Sequence, residues 1–279
     1  MAARSGSSRS SGGKKLGAAG RVVAFFTALA LSCTFLAVGL LACVAPPTTT
    51  VLARFFVDDA TSPFTRDQLV AVAEATREYS FGNHDLGELY QAIYDVDRAY
   101  ADTLSARGQI PETGFPALVA LSKRGDVSQL RAAFSGASEV YAYSPATITH
   151  LDDCYHLYRR GLIVSAVLAV LALAGCIFMG VKGGMRKLGI LFICVGAFVI
   201  VLAATFGVLA FMGFDGLFTM LHGLFFTAGT WVFPSDSLLI CALPTAFWMG
   251  MGVVLGVVAL LLSVISILVG RKLVRRAGR

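Results

Sequence analysis

The sequence predicts an all-α integral membrane protein with four transmembrane helices. Hydrophobic residues make up 56% of the chain and charged residues only 14%, whereas charged residues alone make up about a quarter of an average soluble domain. Four apolar runs are each long enough to cross about 30 Å of hydrocarbon, which takes roughly 20 helical residues. The segments between these runs show helical spacing of apolar residues and no alternating strand pattern of useful length.

The basic residues predict how these helices are oriented. They cluster at both ends of the chain and between the second and third runs, whereas fifteen of the seventeen acidic residues lie between Asp58 and Asp153. Basic segments that flank membrane spans stay on the cytoplasmic side, so both termini are expected to be cytoplasmic. This placement explains the net charge of +6 without nucleic acid as a partner. We therefore expect a multi-pass protein of the plasma membrane.

The N-terminal part of the chain allows two interpretations. Residues 1–20 contain too few apolar residues to fold, which predicts a disordered basic cytoplasmic tail before a first transmembrane helix at 22–44. The same basic start and apolar run, ending in Leu-Leu-Ala-Cys at Cys43, also resemble a cleaved lipoprotein signal with a lipidated cysteine. The apolar region of a signal has about 7–15 residues. The longer run here favours a retained helix, and the cleaved form stays open as the alternative.

The segment 46–158 is predicted to be a helical extracytoplasmic domain. Thr65 to Gln68 has the form of a capping box and precedes apolar residues at helical spacing. Asp85 begins a second helix, whose apolar stripe runs to a break rich in glycine and proline at 108–116. A third helix is predicted to begin near Asp126.

A fourth helix of this domain carries the first candidate site residues. Ser144 and Pro145 form a helix start, and nothing interrupts the helix before the second span at 161–181. Asp153 follows His150 by three residues and therefore shares a helix face with it. We expect Asp153 to hydrogen-bond the His150 ring and to fix its tautomer.

The C-terminal part contains an unusual connector between the last two spans. A cytoplasmic loop at 182–187 leads to the third transmembrane helix at 188–211. The fourth is predicted at 245–269, before a basic cytoplasmic tail at 270–279. Connections between elements are usually short, yet 212–244 is long, rich in aromatic residues and places His222 among apolar neighbours. We expect this connector to be partly embedded at the outer membrane face, where His222 and His150 could meet.

Other chemistries lack a matching motif. The chain has no HExxH zinc motif, no GxSxG nucleophile elbow, no Walker loop and no GxGxxG fingerprint, so neither a metal nor a cofactor is expected. The six cysteines form no spaced framework. Only Cys154 and Cys241 are placed near the outer face, and their pairing stays open. An enzyme on this chain would have to work with histidine and carboxylate alone.

The residues around both histidines resemble those of a known family. The likeness rests on HLDD at 150–153, LHGLFF at 221–226, GTW at 229–231 and DSLLI at 236–240, followed by Pro244 and Phe247. These motifs are similar to those of the four-span integral membrane proteins that include the lipoprotein intramolecular transacylase Lit. The resemblance covers the chain from about 22 to 269. Cys154 stands where an aliphatic residue is expected.

This resemblance implies an acyltransferase. The implied reaction moves the sn-2 acyl chain of a diacylglyceryl-cysteine lipoprotein onto the α-amine of the same cysteine and leaves a lyso-form lipoprotein. Diacylated lipoproteins and membrane lipid would be the partners, and catalysis would take place on the extracytoplasmic face. The alternative from another class is a non-catalytic four-span scaffold or accessory protein of the cell envelope, in which both histidines are dispensable.

The resemblance also assigns the site residues. It carries the catalytic pair over to His150 and His222. Our hypothesis makes His150, oriented by Asp153, the general base and His222 the donor to the developing oxyanion or leaving oxygen. The residues expected to bind the substrate are Phe225, Phe226, Trp231 and Asp236.

Overall fold

The protein is built from α-helices, as predicted. The computed structural model describes residues 17–118 and 120–279, and within these ranges it contains helices and turns but no strand. The helices are α1 (Ala18–Cys43), α2 (Pro46–Phe56), α3 (Arg66–Phe81), α4 (Leu86–Ala106), α5 (Val127–Ala133), α6 (Pro145–Phe178), α7 (Met185–Phe225), α8 (Leu238–Ala242) and α9 (Thr245–Arg276). A single π-helical turn, Met179–Gly183, follows α6.

Four helices are long and apolar enough to cross a membrane. They are Ala18–Cys43, Pro145–Gly183, Met185–Phe225 and Thr245–Arg276, which confirms the four spans predicted from the sequence. The second and third of these helices extend beyond both predicted ends, the first begins four residues earlier than predicted, and the fourth continues seven residues further. Most of the predicted N-terminal tail lies outside the described residues, and its last three residues, 18–20, already belong to α1.

The first part of the predicted connector 212–244 is helical. Helix α7 continues to Phe225 and is interrupted only by a kink at Gly213, where φ is 174° and ψ is 92°. The segment 214–225 is therefore helical, and the irregular chain is confined to 226–237 before α8. The physical reason lies in its aromatic residues, because Phe214, Phe218 and His222 recur every four residues and their rings pack successively along one helix face.

The chain forms two compact units. One unit comprises 17–35, Ser165–Leu202 and Leu260–Arg279. Within it α7 and α9 touch through their backbones, since a Cβ atom added to Gly189 would lie 2.6 Å from the carbonyl oxygen of Gly270. Small residues at such crossings let membrane helices approach closely. The hydroxyl of Ser266 on α9 also donates a hydrogen bond to the carbonyl of Phe192 on α7, at 2.9 Å.

The other unit comprises Leu36–Val164 and Ala203–Ala259. Its core gathers buried side chains from α2, α3, α4, α8 and the start of α9, among them Leu52, Leu69, Ile93, Leu238 and Phe247. Helix α2 was not predicted. The capping box at Thr65 and the N-cap at Asp85 are both confirmed, whereas the helix predicted near Asp126 is short and ends at Ala133.

A cluster of side chains around His84 holds the start of α6 against α3. The hydroxyl of Tyr79 donates to Asp152 Oδ1 at 2.5 Å, and His84 Nε2 lies 3.6 Å from the same oxygen. The His84 ring stacks on Tyr155 at 3.8 Å and on Tyr79 at 4.4 Å between ring centroids. Burial and the Asp152 carboxylate raise the pKa of Tyr79. These contacts set the position of α6 and hence that of His150.

Candidate functional site

The second unit contains a small cavity lined by both candidate histidines. Its volume is about 100 Å³, and its walls come from α2, α3, α6, α7, α8, α9 and the irregular segment before α8. Most of the lining is apolar, with aromatic rings contributed by Phe218, Trp231, Phe233, Phe247 and Trp248. A polar group inside such a cavity is largely shielded from water, so hydrogen bonds and charges there act strongly.

The two imidazoles lie side by side in this cavity. The ring centroids of His150 and His222 are 6.3 Å apart, with an angle of 30° between the ring planes. The expected meeting of the two rings is confirmed. At this separation their nitrogens are too far apart for a direct hydrogen bond, which leaves room for a reacting group that contacts both.

His222 is held in a defined orientation by its own helix. Its Nδ1 lies 2.9 Å from the carbonyl oxygen of Phe218, and because a carbonyl only accepts, Nδ1 carries the proton of the neutral ring. The ring also packs on Phe218 at 3.8 Å and on Trp231 at 4.9 Å between centroids. The remaining nitrogen, Nε2, is therefore unprotonated in the neutral ring and can accept a proton.

His150 is held differently, and the predicted hydrogen bond from Asp153 is wrong. His150 is 8% exposed, and its Nε2 lies 3.7 Å from Cys154 Sγ. Its Nδ1 is buried and has no hydrogen-bond partner in the described part of the chain. On this helix the residue four positions later faces the ring, while Asp153 is turned outwards and is exposed.

The predicted substrate-binding residues divide into two groups. Phe226 packs against both imidazoles, at 4.8 Å from His150 and 5.5 Å from His222 between centroids, and Trp231 lines the cavity. Phe225 is 61% exposed and Asp236 is exposed, and neither lines the cavity. The chain leaves the helix after Phe225, which turns these two neighbouring rings to different sides.

Sequence reasoning missed one wall of the cavity. Thr49 of α2 and Thr76, Arg77 and Ser80 of α3 all line it. Arg77 pairs with Glu78. Burial lowers the pKa of Arg77, and the nearby Glu74 carboxylate opposes this shift. The spacing of residues 76, 77 and 80 puts them on neighbouring positions of α3. Because α2 was not predicted, no sequence signal indicated that these residues form a wall together with Thr49.

Cys154 and Cys241 are both free thiols, so the pairing that the sequence left open is not formed. Within 17–118 and 120–279 no three side chains of histidine, cysteine, aspartate or glutamate are grouped so that they could hold a metal ion.

A known family matches the part of the chain that contains this site. Residues 127–248, which include both histidines, match the family model described as lipoprotein intramolecular transacylase Lit. The match covers less than half of the chain, and over that part the chain is similar to Lit. No curated protein matches it.

The Lit-like fold extends over nearly the whole chain. Two solved structures of the membrane-integral lipoprotein intramolecular transacylase Lit from Bacillus cereus, one of them a variant with a histidine-to-arginine substitution, are similar to it. Both are 15% identical to this chain with a TM-score of 0.58, and they cover 94% and 93% of it and 99% and 93% of their own chains. At this level of identity the similarity establishes the shared fold.

Proposed function

We propose that this protein is a membrane transacylase that converts diacylated lipoproteins into lyso-form lipoproteins. In the proposed reaction the sn-2 acyl chain of the diacylglyceryl-cysteine moves to the α-amine of that cysteine. The observation that carries the proposal is the pair of imidazoles, supplied by α6 and α7, in one apolar cavity. The match of residues 127–248 to the Lit family model supports the choice of reaction.

The reaction needs a base because its nucleophile, the α-amine of the cysteine, must lose protons. An α-amine has a pKa of about 7.7–8.0, so much of it is protonated at neutral pH and cannot attack an ester. After one proton has left to solvent, the amine nitrogen attacks the ester carbonyl carbon, and a second proton must leave the nitrogen as the amide forms. The departing glycerol oxygen must gain a proton when its bond to the acyl carbon breaks. One imidazole can take the proton from nitrogen and return it to this oxygen.

The geometry favours His222 for this proton transfer, which reverses the roles expected from the sequence. Its Nδ1 proton is engaged with the Phe218 carbonyl, so Nε2 is the nitrogen that can accept a proton and release it again. The earlier assignment of His150 as the base depended on orientation by Asp153, which makes no hydrogen bond to that ring.

His150 is then the donor to the developing oxyanion. A thiol hydrogen on Cys154 that points at Nε2 places the ring proton on Nδ1, the nitrogen without a partner in the described chain. A neutral imidazole N–H in an apolar cavity stabilises negative charge on a carbonyl oxygen as it forms. Because nucleophile and ester belong to one molecule, proximity supplies much of the acceleration and no acyl-enzyme is needed.

The proposal places the reaction at the extracytoplasmic membrane surface. The basic clusters that mark the cytoplasmic side lie near the opposite ends of the spans from His150 and His222. Lipoproteins anchored in the outer leaflet would reach the cavity through the membrane plane. The exposed aromatic residues near it, such as Phe225, would then face lipid.

The experiment that tests this function removes each imidazole in turn. His150→Ala and His222→Ala should each abolish the lyso product of a co-expressed lipoprotein, measured by mass spectrometry of its N-terminal peptide. Membrane insertion should be unchanged, which is checked by quantifying the protein in the membrane fraction. Full conversion in either variant would exclude the pair as catalysts. Full conversion in both would support the scaffold alternative.

A further inference from the structure

Two residues that line the histidine cavity carry buried hydroxyl groups without a partner in the described chain. Thr49 is 1% exposed and Ser80 is 2% exposed, and both residues line the cavity. Neither hydroxyl oxygen has a hydrogen-bond partner among the residues that the structure describes. A buried hydroxyl that is left unpaired costs free energy, so its presence requires an explanation.

Neighbouring hydroxyls in the same two helices are paired. Thr50 in α2 donates to the carbonyl of Pro46 at 3.2 Å, and Thr76 in α3 donates to the carbonyl of Val72 at 2.7 Å. Both follow the usual pattern, in which a helical serine or threonine bonds to the carbonyl four residues earlier. Thr49 and Ser80 depart from it, although the same local partners are available to them.

Unpartnered polar atoms are concentrated around this cavity. In the described ranges five residues have buried side-chain nitrogen or oxygen atoms without a partner. Four of them line the cavity, namely Thr49, Ser80, His150 and Trp231. An apolar cavity with several unpaired donors in its wall is suited to a ligand that brings its own hydrogen-bond acceptors.

We infer that Thr49 and Ser80 donate hydrogen bonds to the ester carbonyl oxygen of the substrate that does not react. The inference rests on the proposed function, because a diacylglyceryl group carries two esters on adjacent glycerol carbons. The sn-3 carbon carries the thioether to cysteine, so the second ester is at sn-1. When the sn-2 ester lies at the imidazoles, the sn-1 carbonyl oxygen is only a few bonds away and enters the same shielded space. It can only accept hydrogen bonds, and a hydroxyl from each of α2 and α3 can donate one. The pair therefore selects substrates that carry an ester at sn-1.

Near-isosteric variants test this role together with a matched control. Thr49→Val with Ser80→Ala should lower kcat/KM roughly tenfold or more for a synthetic dipalmitoylglyceryl-cysteinyl peptide, since each hydrogen bond contributes a few-fold to about tenfold. The melting temperature of the full-length double variant should stay equal or rise, because no existing bond is lost. Thr50→Val should keep kcat/KM but should not raise the melting temperature, since its hydroxyl bonds to Pro46 and Glu74.

A second peptide identifies the substrate atom that is bound. In this peptide the sn-1 chain is attached through an ether, so the second carbonyl is missing. The wild-type protein should convert the ether peptide about as poorly as the double variant converts the diester, and the double variant should treat both peptides alike. An unchanged kcat/KM in the double variant, or the same loss for both peptides, would overturn the inference.

The same pair of peptides separates this inference from the proposed reaction. If the wild-type protein forms no lyso product from either peptide, the proposed function fails and binding becomes the measurement. A larger rise in melting temperature with the diester than with the ether peptide, present in the wild type and lost in the double variant, would still support the carbonyl site. Equal rises with both peptides in the wild type would overturn it.

Discussion

His150 meets His222 as expected, but a different neighbour from the expected one contacts its ring. The sequence offered Asp153 at three residues and Cys154 at four, and a carboxylate is the more usual partner of an imidazole. In the folded chain Cys154 Sγ lies 3.7 Å from the ring, and Tyr79 engages Asp152. Asp153 is left exposed. Spacing alone brings both positions near the ring, and the rotation of the helix against its neighbours decides between them.

The thiol therefore has a testable positioning role. Cys154→Ala should lower kcat by a few-fold to about tenfold, because it removes one weak hydrogen bond that fixes the His150 tautomer. Cys154→Ser should recover most of this loss, since a hydroxyl can donate to the same nitrogen. Formation of the lyso-lipoprotein by purified protein, with kcat and KM determined separately, is the measurement.

Asp153→Asn is the matched control for the Cys154 variants. Its activity should stay within about twofold of the wild type, as expected for an exposed charge that is screened by solvent. A tenfold loss in Asp153→Asn would restore the carboxylate as the group that orients His150. Complete loss of activity in Cys154→Ser would point instead to a thiol nucleophile and an acyl-enzyme.

At the scale of elements, most helix starts could be predicted from the sequence, whereas the continuation of α7 beyond Gly213 could not. The capping box at Thr65 and the N-cap at Asp85 are local hydrogen-bond patterns, which the sequence carries in full. Helix α2 has no side-chain cap at Ala45 and carries only a proline at its first position as a start signal. The helical extension beyond Gly213 was missed because hydrophobicity marks the span and not the helix.

The contact between α7 and α9 depends on glycine. A Cβ atom on Gly196 would lie 2.6 Å from the carbonyl oxygen of Ser263, and a backbone oxygen can move away only if the whole helix shifts. Gly196→Ala should therefore destabilise the protein by roughly 1–3 kcal/mol, as overpacking does in other well-packed interiors. Thermal unfolding of the variant and the wild type in detergent measures this loss of stability.

Gly207→Ala on the same helix serves as the comparison. In the described chain, no atom apart from the neighbouring backbone of its own helix lies within 4 Å of a Cβ atom at this position, and alanine is the better helix former by about 1 kcal/mol. Its melting temperature should be equal to the wild-type value or higher. Equal melting temperatures for Gly196→Ala and the wild type would show that the helices do not pack this closely.

At the scale of the whole molecule, a buried carboxylate makes stability depend on pH. Asp97 is 0% exposed, its oxygens have no partner in the described chain, and burial raises its pKa to about 8 from 3.8. Between these values the folded protein holds one proton more than the unfolded chain. The free energy of unfolding should then fall by about 1.4 kcal/mol per pH unit as pH rises.

The variant Asp97→Asn tests whether the Asp97 carboxyl group causes this pH dependence of stability. The variant should lose the decline between about pH 4 and pH 8 and should be more stable than the wild type at pH 8, because the amide does not ionise. Asp102→Asn, on an exposed position of the same helix, should leave the decline unchanged. An unaltered pH profile in Asp97→Asn would contradict the assignment.

The sequence predicted the class of the molecule and the meeting of His150 and His222, because both follow from the lengths of apolar runs and from helical rise. It could not predict the wall formed by Thr49 and Ser80, because that wall depends on how α2 and α3 pack against elements far away in the chain. Composition and periodicity describe each segment separately. A cavity is built from the contacts between segments, and these appear only in the folded chain.

The central claim is that this cavity moves an acyl chain within a single lipoprotein molecule. The most direct measurement incubates the purified wild-type protein with two diacylated lipopeptides that differ in both peptide mass and acyl length, and follows the products by mass spectrometry. The proposed mechanism predicts lyso products in which each peptide keeps only its own acyl chains, with the migrated chain on the cysteine amine. Products that carry the acyl chain of the other peptide, or no N-acylated product at all, would contradict it.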